Sequence, residues 1–135
     1  MTITKILTKN DLGRTGAHQA GIHVPKEIFV TGIFAQLPTN RKNPRAKIIA
    51  QDPKGRKWEY TFIYYNNKFF GGTRNEARLT GISSFLKNEI ATPGDLIVFQ
   101  KRNGMLHVSI ERQSETSHSG TVTVSVSSLW RAINI

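Results

Sequence analysis

The chain has 135 residues, with 19 Lys and Arg against 9 Asp and Glu and a formal net charge of +10. That length gives one domain with a single core, and an excess of this size points to a polyanionic partner rather than to solubility alone. With no cysteine, disulfide staples and thiolate metal sites are excluded; no apolar stretch can span a bilayer, and neither a basic amphipathic helix nor a signal-peptide core is present, so a cytoplasmic protein without a membrane partner is expected.

Thr2 to Thr8 carries Ile3, Ile6 and Leu7 and is β-prone. Asn10 to Gly21 has glycines at 13, 16 and 21 and no aliphatic period, which predicts a loop whose backbone can approach a partner closely. Pro25 to Phe29 can start a short helix. Arg45 to Gln51 reads as a strand ending at the turn Asp52-Pro53-Lys54-Gly55. Trp58, Tyr60, Phe62 and Tyr64 then alternate with Glu59, Thr61, Ile63 and Tyr65, the period of a strand with a strongly apolar face. Asn66 to Gly72 suggests an extended loop. Leu79 to Glu89 places Ile82, Phe85 and Leu86 at helical spacing and is broken by Pro93-Gly94-Asp95. Leu96 to Phe99 is apolar on both faces, as in a barrel or sandwich strand. Asn103-Gly104 signals a hairpin into Met105 to Arg112, with Leu106, Val108 and Ile110 on one side. Ser114 to Gly120 reads as a polar loop, and Thr121 to Ser127 as a strand with Val122, Val124 and Val126 inward. Many short strands and two short helices imply a closed or half-open β-barrel.

Three clusters carry chemistry. In Gly72 to Arg78, Arg74 and Arg78 have the fork that reads guanine O6 and N7, and Glu76 can accept from the cytosine N4 amine. Arg-x-Glu-x-Arg therefore suits G·C pairs in a major groove; the competing reading is a solvated turn in which Glu76 pairs with Arg74 or Arg78. In the loop from Asn10 to Gly21, Arg14, His18 and Gln19 are base- or phosphate-contact types. An ordinary surface turn with its geometry set by Asp11 fits that loop equally well. A P-loop is disfavoured, because the Lys-Ser/Thr ending is missing. The basic run Arg41, Lys42, Arg45, Lys47, Lys54, Arg56 and Lys57 would attract phosphates without reading sequence, or would equally serve as a charged edge that protects a strand. His18, His23, His107 and His118 lack metal-ligand spacing with carboxylates, and no Asp…Glu-x-Lys nuclease pattern is present. The chain reads as a non-catalytic duplex-DNA binder. The alternatives are a small nuclease using His18 and a single-strand or RNA binder that stacks bases on Tyr64, Tyr65 and Phe70.

Two segments together resemble a known family. Asn10-Asp11-x-Gly13-x-Thr15-Gly16-x-His18-Gln19-x-Gly21, followed by Pro25, resembles the first DNA-binding arm of the EcoRII-type effector domain. Ile63-Tyr64-Tyr65-Asn66 with Phe70-Gly71-x-Thr73-Arg74-Asn75-Glu76-x-Arg78 resembles its second arm. The likeness runs on through Pro93 to Phe99, a strand entry typical of the wider DNA-binding pseudobarrel superfamily, which includes plant transcription-factor domains. No motif is placed after Glu111.

The resemblance implies a mainly β fold, an open seven-stranded pseudobarrel with short helices at its ends. It implies a single DNA-recognition domain over residues 1–135, with arms at about 9–24 and 66–80 gripping the major groove. In this family the domain is fused to a nuclease, as part of a type II restriction endonuclease, and cognate DNA bound to it relieves inhibition of the catalytic domain or stimulates it. Met1 leading straight into the first arm suggests an N-terminal domain. His18 falls on the first arm's contact histidine; Arg74, Glu76 and Arg78 fall on the second arm's base and phosphate readers. Lys9, Asn10, Asp11, Arg14, Thr15, Gln19, His23, Lys68, Thr73 and Asn75 accompany them on the arms. In EcoRII, lysines stand at the positions of Gly72 and Ala77 and a tyrosine at that of His23. The two lost charges should weaken phosphate contacts there, with Arg14, Lys9 or Lys68 in compensation. The implied target is CCWGG (W is A or T) or a similar site. No cofactor is expected for this domain, with Mg2+ needed only by a fused nuclease.

Overall fold

The computed structural model describes residues 1–13, 21–113, 123–125 and 129–133. In chain order the elements are β1 (Thr2–Ile6), β2 (Ile22–Val24), α1 (Lys26–Phe29), β3 (Arg45–Gln51), β4 (Lys57–Tyr65), a 3-10 turn (Asn67–Phe70), β5 (Glu76–Thr80), α2 (Ser83–Asn88), β6 (Leu96–Arg102), β7 (Met105–Glu111), β8 (Thr123–Ser125) and β9 (Trp130–Ile133). They form one sheet in the order β2-β5-β4-β3-β7-β6-β1-β9-β8, antiparallel except where β3 runs parallel to β7. The sheet curls into an open half-barrel with β2 and β8 at its edges, so the mainly β pseudobarrel expected from the sequence is the fold observed. The seven strands from β2 to β1 make the body of the sheet, and β9 and β8 continue it past β1.

Period two explains the core. Tyr60 and Phe62 of β4, Ile97 and Phe99 of β6, and Leu106 and Val108 of β7 all bury inward, while Leu96 and Val98 are half-buried on the other face. Phe34 fills the hollow of the curl, with ring centroids 5.4 Å from Phe62 and 4.9 Å from Phe99. Phe85 and Leu86 of α2 and Ile28 of α1 close the ends of the barrel.

Some elements differ from the reading of local pattern. The helix expected over 79–89 is confined to Ser83–Asn88, because Leu79 and Thr80 belong to β5. Leu79 pairs with Phe62 on one side and Ile22 on the other and is fully buried, so its strand neighbours override its helical spacing. Strands β2 and β9 were not foreseen; β9 carries Trp130, buried beside Lys5 of β1. The backbone of Thr123–Ser125 pairs with β9. The expected polar loop at 114–120 and the direction of the valines at 122, 124 and 126 lie outside the described residues.

Carboxylates tie the turns. Asp52 accepts from the N–H groups of Lys54 and Arg56, both at 2.9 Å, and from Trp58 Nε1 at 3.0 Å. Asp95 accepts from the N–H and hydroxyl of Thr92 (2.9 and 3.1 Å), the N–H of Gln113 (3.1 Å) and Arg112 Nη1 (3.3 Å). Burial works against both charges, but these donors outweigh it and hold both carboxyls below the usual carboxylate range. A depressed folded-state pKa contributes stability that is present above the unfolded value and lost as pH falls through the folded one. Stability should therefore decline as pH drops below about 4. In denaturant titrations Asp95→Asn should flatten that decline while lowering stability at neutral pH.

Tyr60 presents the opposite case. Its hydroxyl is buried with no hydrogen-bond partner among the described residues, and burial pushes its pKa up. Because an unmet buried hydroxyl carries a desolvation cost, Tyr60→Phe should leave the melting temperature unchanged or raise stability by about 1 kcal/mol.

Candidate nucleic-acid interface

The loop between β4 and β5 is built from the strand period. Tyr65 pairs directly with Glu76, so their side chains share the outward face of the sheet. Alternation then puts Arg74, Glu76 and Arg78 on that same face. This corrects the reading of Arg74 to Arg78 as a loop or turn: its second half is β5. Arg74 lies flat on Tyr65, with Cζ 3.7 Å from the ring centroid. Its Nε and Nη2 donate to Glu76 Oε1 at 2.9 and 2.6 Å. On the other face the Tyr64 ring packs on Phe29 at 4.9 Å, and its hydroxyl donates to Asn75 Oδ1 at 2.7 Å. The pairing of Glu76 with Arg74, raised as the bland reading, is thus real, and it leaves the side chain of Arg74 partly exposed.

The loop between β1 and β2 is anchored at both ends. Asp11 accepts from the Thr8 N–H at 3.0 Å, returns its own N–H to Thr8 Oγ1 at 3.2 Å, and forms a buried ion pair with Lys5. Asp11 therefore fixes the turn's geometry, the simpler of its two readings. At the other end Gly21 has φ +74, and a Cβ there would lie 2.1 Å from the Leu79 carbonyl oxygen, so no other residue fits. The Gly21 carbonyl accepts from Arg78 Nη2 at 3.0 Å, and Arg78 Nη1 lies 3.9 Å from Glu76 Oε1. Arg78 is 3% exposed and joins the roots of both loops. Along the sheet, Arg45, Ile63, Arg78 and His23 form one outward row across β3, β4, β5 and β2, with His23 and Arg45 exposed.

The basic run does not form one patch. Arg41 and Lys42 are exposed in a segment tied to the start of the β4–β5 loop by the buried Asn66. Asn66 Nδ2 donates to the carbonyls of Arg41 (2.8 Å) and Thr39 (3.4 Å), and its Oδ1 accepts from the Asn43 N–H at 2.6 Å. Lys54, Arg56 and Lys57 sit at the opposite end of β4, roughly 26 Å away at about 3.3 Å per residue. There Arg56 Nη1 bonds Asn88 Oδ1 at 3.0 Å. Lys47 pairs with Glu59 at 3.5 Å on the open surface.

The remaining sequence-selected residues fall as follows. Lys9, Lys68 and Thr73 are exposed on the two loops. Arg14, Thr15, His18 and Gln19 lie outside the described residues. Ala77 is buried on the inward face, so in this chain it is a core position rather than a surface site lacking a charge. Gly72 has a packing role, since a Cβ there would meet Asn67 Oδ1 at 2.6 Å. Reading the sequence missed Tyr65, Asn66 and Asn67 as scaffold for the loop. The pairing of Tyr65 with Glu76, which no local pattern in the sequence gives, is what places Arg74 beside Tyr65. A cavity of about 570 Å³ between the Asn10–Gly13 turn and α2, lined also by Gly21 and Ile90, separates the first loop from the helix.

A curled, open, mainly β sheet with short helices, carrying two loops rooted on one strand, defines a pseudobarrel domain. The chain belongs to the EcoRII N-terminal family, since residues 1–116 match the family model described as "Restriction endonuclease EcoRII, N-terminal". It is 38% identical over 84 residues to the type II restriction enzyme EcoRII of Escherichia coli, covering 56% of this chain and 19% of that enzyme. It is 31% identical over 112 residues to auxin response factor 10 of Oryza sativa subsp. indica, covering 82% of this chain and 15% of that protein. Auxin response factor 10 of Arabidopsis thaliana is 32% identical over the same length. The chain spans less than a fifth of the length of these relatives.

The junction at Arg78 predicts a measurable effect. Arg78→Ala leaves the Gly21 carbonyl and Glu76 without this donor, and should destabilise the domain by about 2–4 kcal/mol. Hydrogen exchange should show the loss concentrated in β2 and β5.

Proposed function

We propose that this chain is the sequence-specific duplex-DNA-recognition domain of a type II restriction endonuclease. Its two arms, the β1–β2 and β4–β5 loops, enter the major groove at a short G·C-rich site such as CCWGG. A fused nuclease domain performs the cleavage, and cognate DNA on this domain acts as its effector. The observation that carries the reading is the state of Arg74. Its Nε–Nη2 edge is held by Glu76 and its face by Tyr65, leaving the Nη1–Nη2 edge for O6 and N7 of a guanine. Arg74 and Arg78 both engage Glu76 through Oε1, which leaves Oε2, among the described residues, to accept from a cytosine N4 amine.

The first arm contributes His18, with Lys9, Arg14, Thr15 and Gln19. Arg41, Lys42 and Lys68, beside the second arm, supply sequence-blind phosphate contacts. The row of His23, Arg78, Ile63 and Arg45, with buried Arg78 and exposed Arg45, gives the floor between the arms a positive potential. Base stacking by Tyr64 and Tyr65 is disfavoured, because Phe29 and Arg74 already cover those rings.

Binding-site selection from a randomised duplex library tests the reading. Enrichment of one short G·C-containing site is expected, whereas equal retention of all duplexes, or preference for single strands, would overturn it. Arg74→Ala should cost about 1–3 kcal/mol of discrimination at one base pair. Lys42→Ala should weaken selected and random duplexes alike and lower the salt slope by about one; Lys54→Ala, at the far end of β4, should do less.

A further inference from the structure

We infer that Tyr65 and Asn67 are positioning residues for Arg74, setting its guanidinium before any DNA arrives. The inference rests on Arg74 being a base reader, as proposed above. Arg74 is tethered through its backbone as well as its side chain. Its N–H donates to Asn67 Oδ1 at 2.7 Å, and its carbonyl accepts from the Lys68 N–H at 2.9 Å. Its guanidinium is held on one edge by Glu76 and on one face by the Tyr65 ring. The backbone bonds fix where the Arg74 side chain starts, and Glu76 and the Tyr65 ring fix where its guanidinium rests.

A free arginine has many rotamers and loses that freedom on meeting a base. Here much of the freedom is removed beforehand, and the ring's negative face holds the cation without using any hydrogen-bond donor. The remaining Nη1–Nη2 edge keeps its two-point geometry. Asn67 depends in turn on Gly72: the Gly72 N–H donates to the Asn67 carbonyl at 2.7 Å, and a side chain at 72 would collide with the Asn67 amide. Nothing in the arginine-glutamate motif itself names these supports. They come from the end of β4 and the 3-10 turn that follows it.

The test uses the whole domain with Tyr65→Leu, Tyr65→Phe and Asn67→Ala. The first readout needs no DNA. The Arg74 Nε–H resonance should be slow to exchange and displaced by the ring in the unaltered domain and in Tyr65→Phe, and should move to the value of a free arginine in Tyr65→Leu. The second readout is the ratio of affinities for the library-selected duplex and a scrambled duplex. Tyr65→Leu should lower it about three- to tenfold, Tyr65→Phe should preserve it, and Asn67→Ala should lower it if Tyr65→Leu proves too unstable to assay. In an Arg74→Ala background, Tyr65→Leu should cause no further loss. An unmoved Nε–H resonance, an unchanged ratio, or an additional loss in the Arg74→Ala background would each overturn the inference. If the unaltered domain selects no duplex at all, the proposed function fails, while the resonance still reports whether Tyr65 holds Arg74.

Discussion

Burying a guanidinium in a chain of net charge +10 is feasible only where its donors are met, and Arg78 meets them where the two loops converge. It reaches the Gly21 carbonyl on one side and approaches Glu76 on the other. An unmet charge at that depth would cost several kcal/mol. The junction therefore requires β2 to lie against β5, and Gly21 to turn there without a side chain. The exit of the first loop and the return of the second are fixed to one short strand, and their relative position follows from its length.

The same economy of charge runs through the described acids. Asp11, Asp52 and Asp95 each accept backbone N–H groups at a turn, and Glu76 orders the two arginines beside it. These four are half of the described acidic residues, and they are engaged in holding the chain in shape. The lysines and arginines remain to define the field outside. A domain built this way presents a positive surface without leaving its turns to chance. The exceptions, such as the exposed Lys47–Glu59 pair, contribute little to either task.

The chain is similar to proteins of different kinds, a restriction enzyme and plant auxin response factors. Gly72 and Ala77 illustrate two ways a position can change. Gly72 leaves room for the Asn67 amide that holds Arg74, while Ala77 is part of the core. Neither is merely a missing charge. The exposed Phe69 and Phe70 at the tip of the second loop are a further local feature of this chain.

Strands β3, β4, β6 and β7 were legible because each borders a turn signal, Asp52 to Gly55 or Asn103-Gly104, and β4 and β7 add an alternation of their own. The basic excess and the chemistry of Arg74, Glu76 and Arg78 were likewise visible in the residues alone. Strands β2 and β5 were not, because three to five residues with arginine, histidine and glutamate among them carry no decisive period of their own. Only pairing with β4, across the loop that joins them, gave β5 its faces. That pairing buried Arg78, exposed Arg74 and laid it on Tyr65, while the β3–β4 pairing set Lys54 and Lys42 at opposite ends of the hairpin. The sequence by itself determined which functional groups the domain carries. Tertiary structure decided which of them share a face, since that depends on strand register and long-range hydrogen bonds that local pattern does not encode.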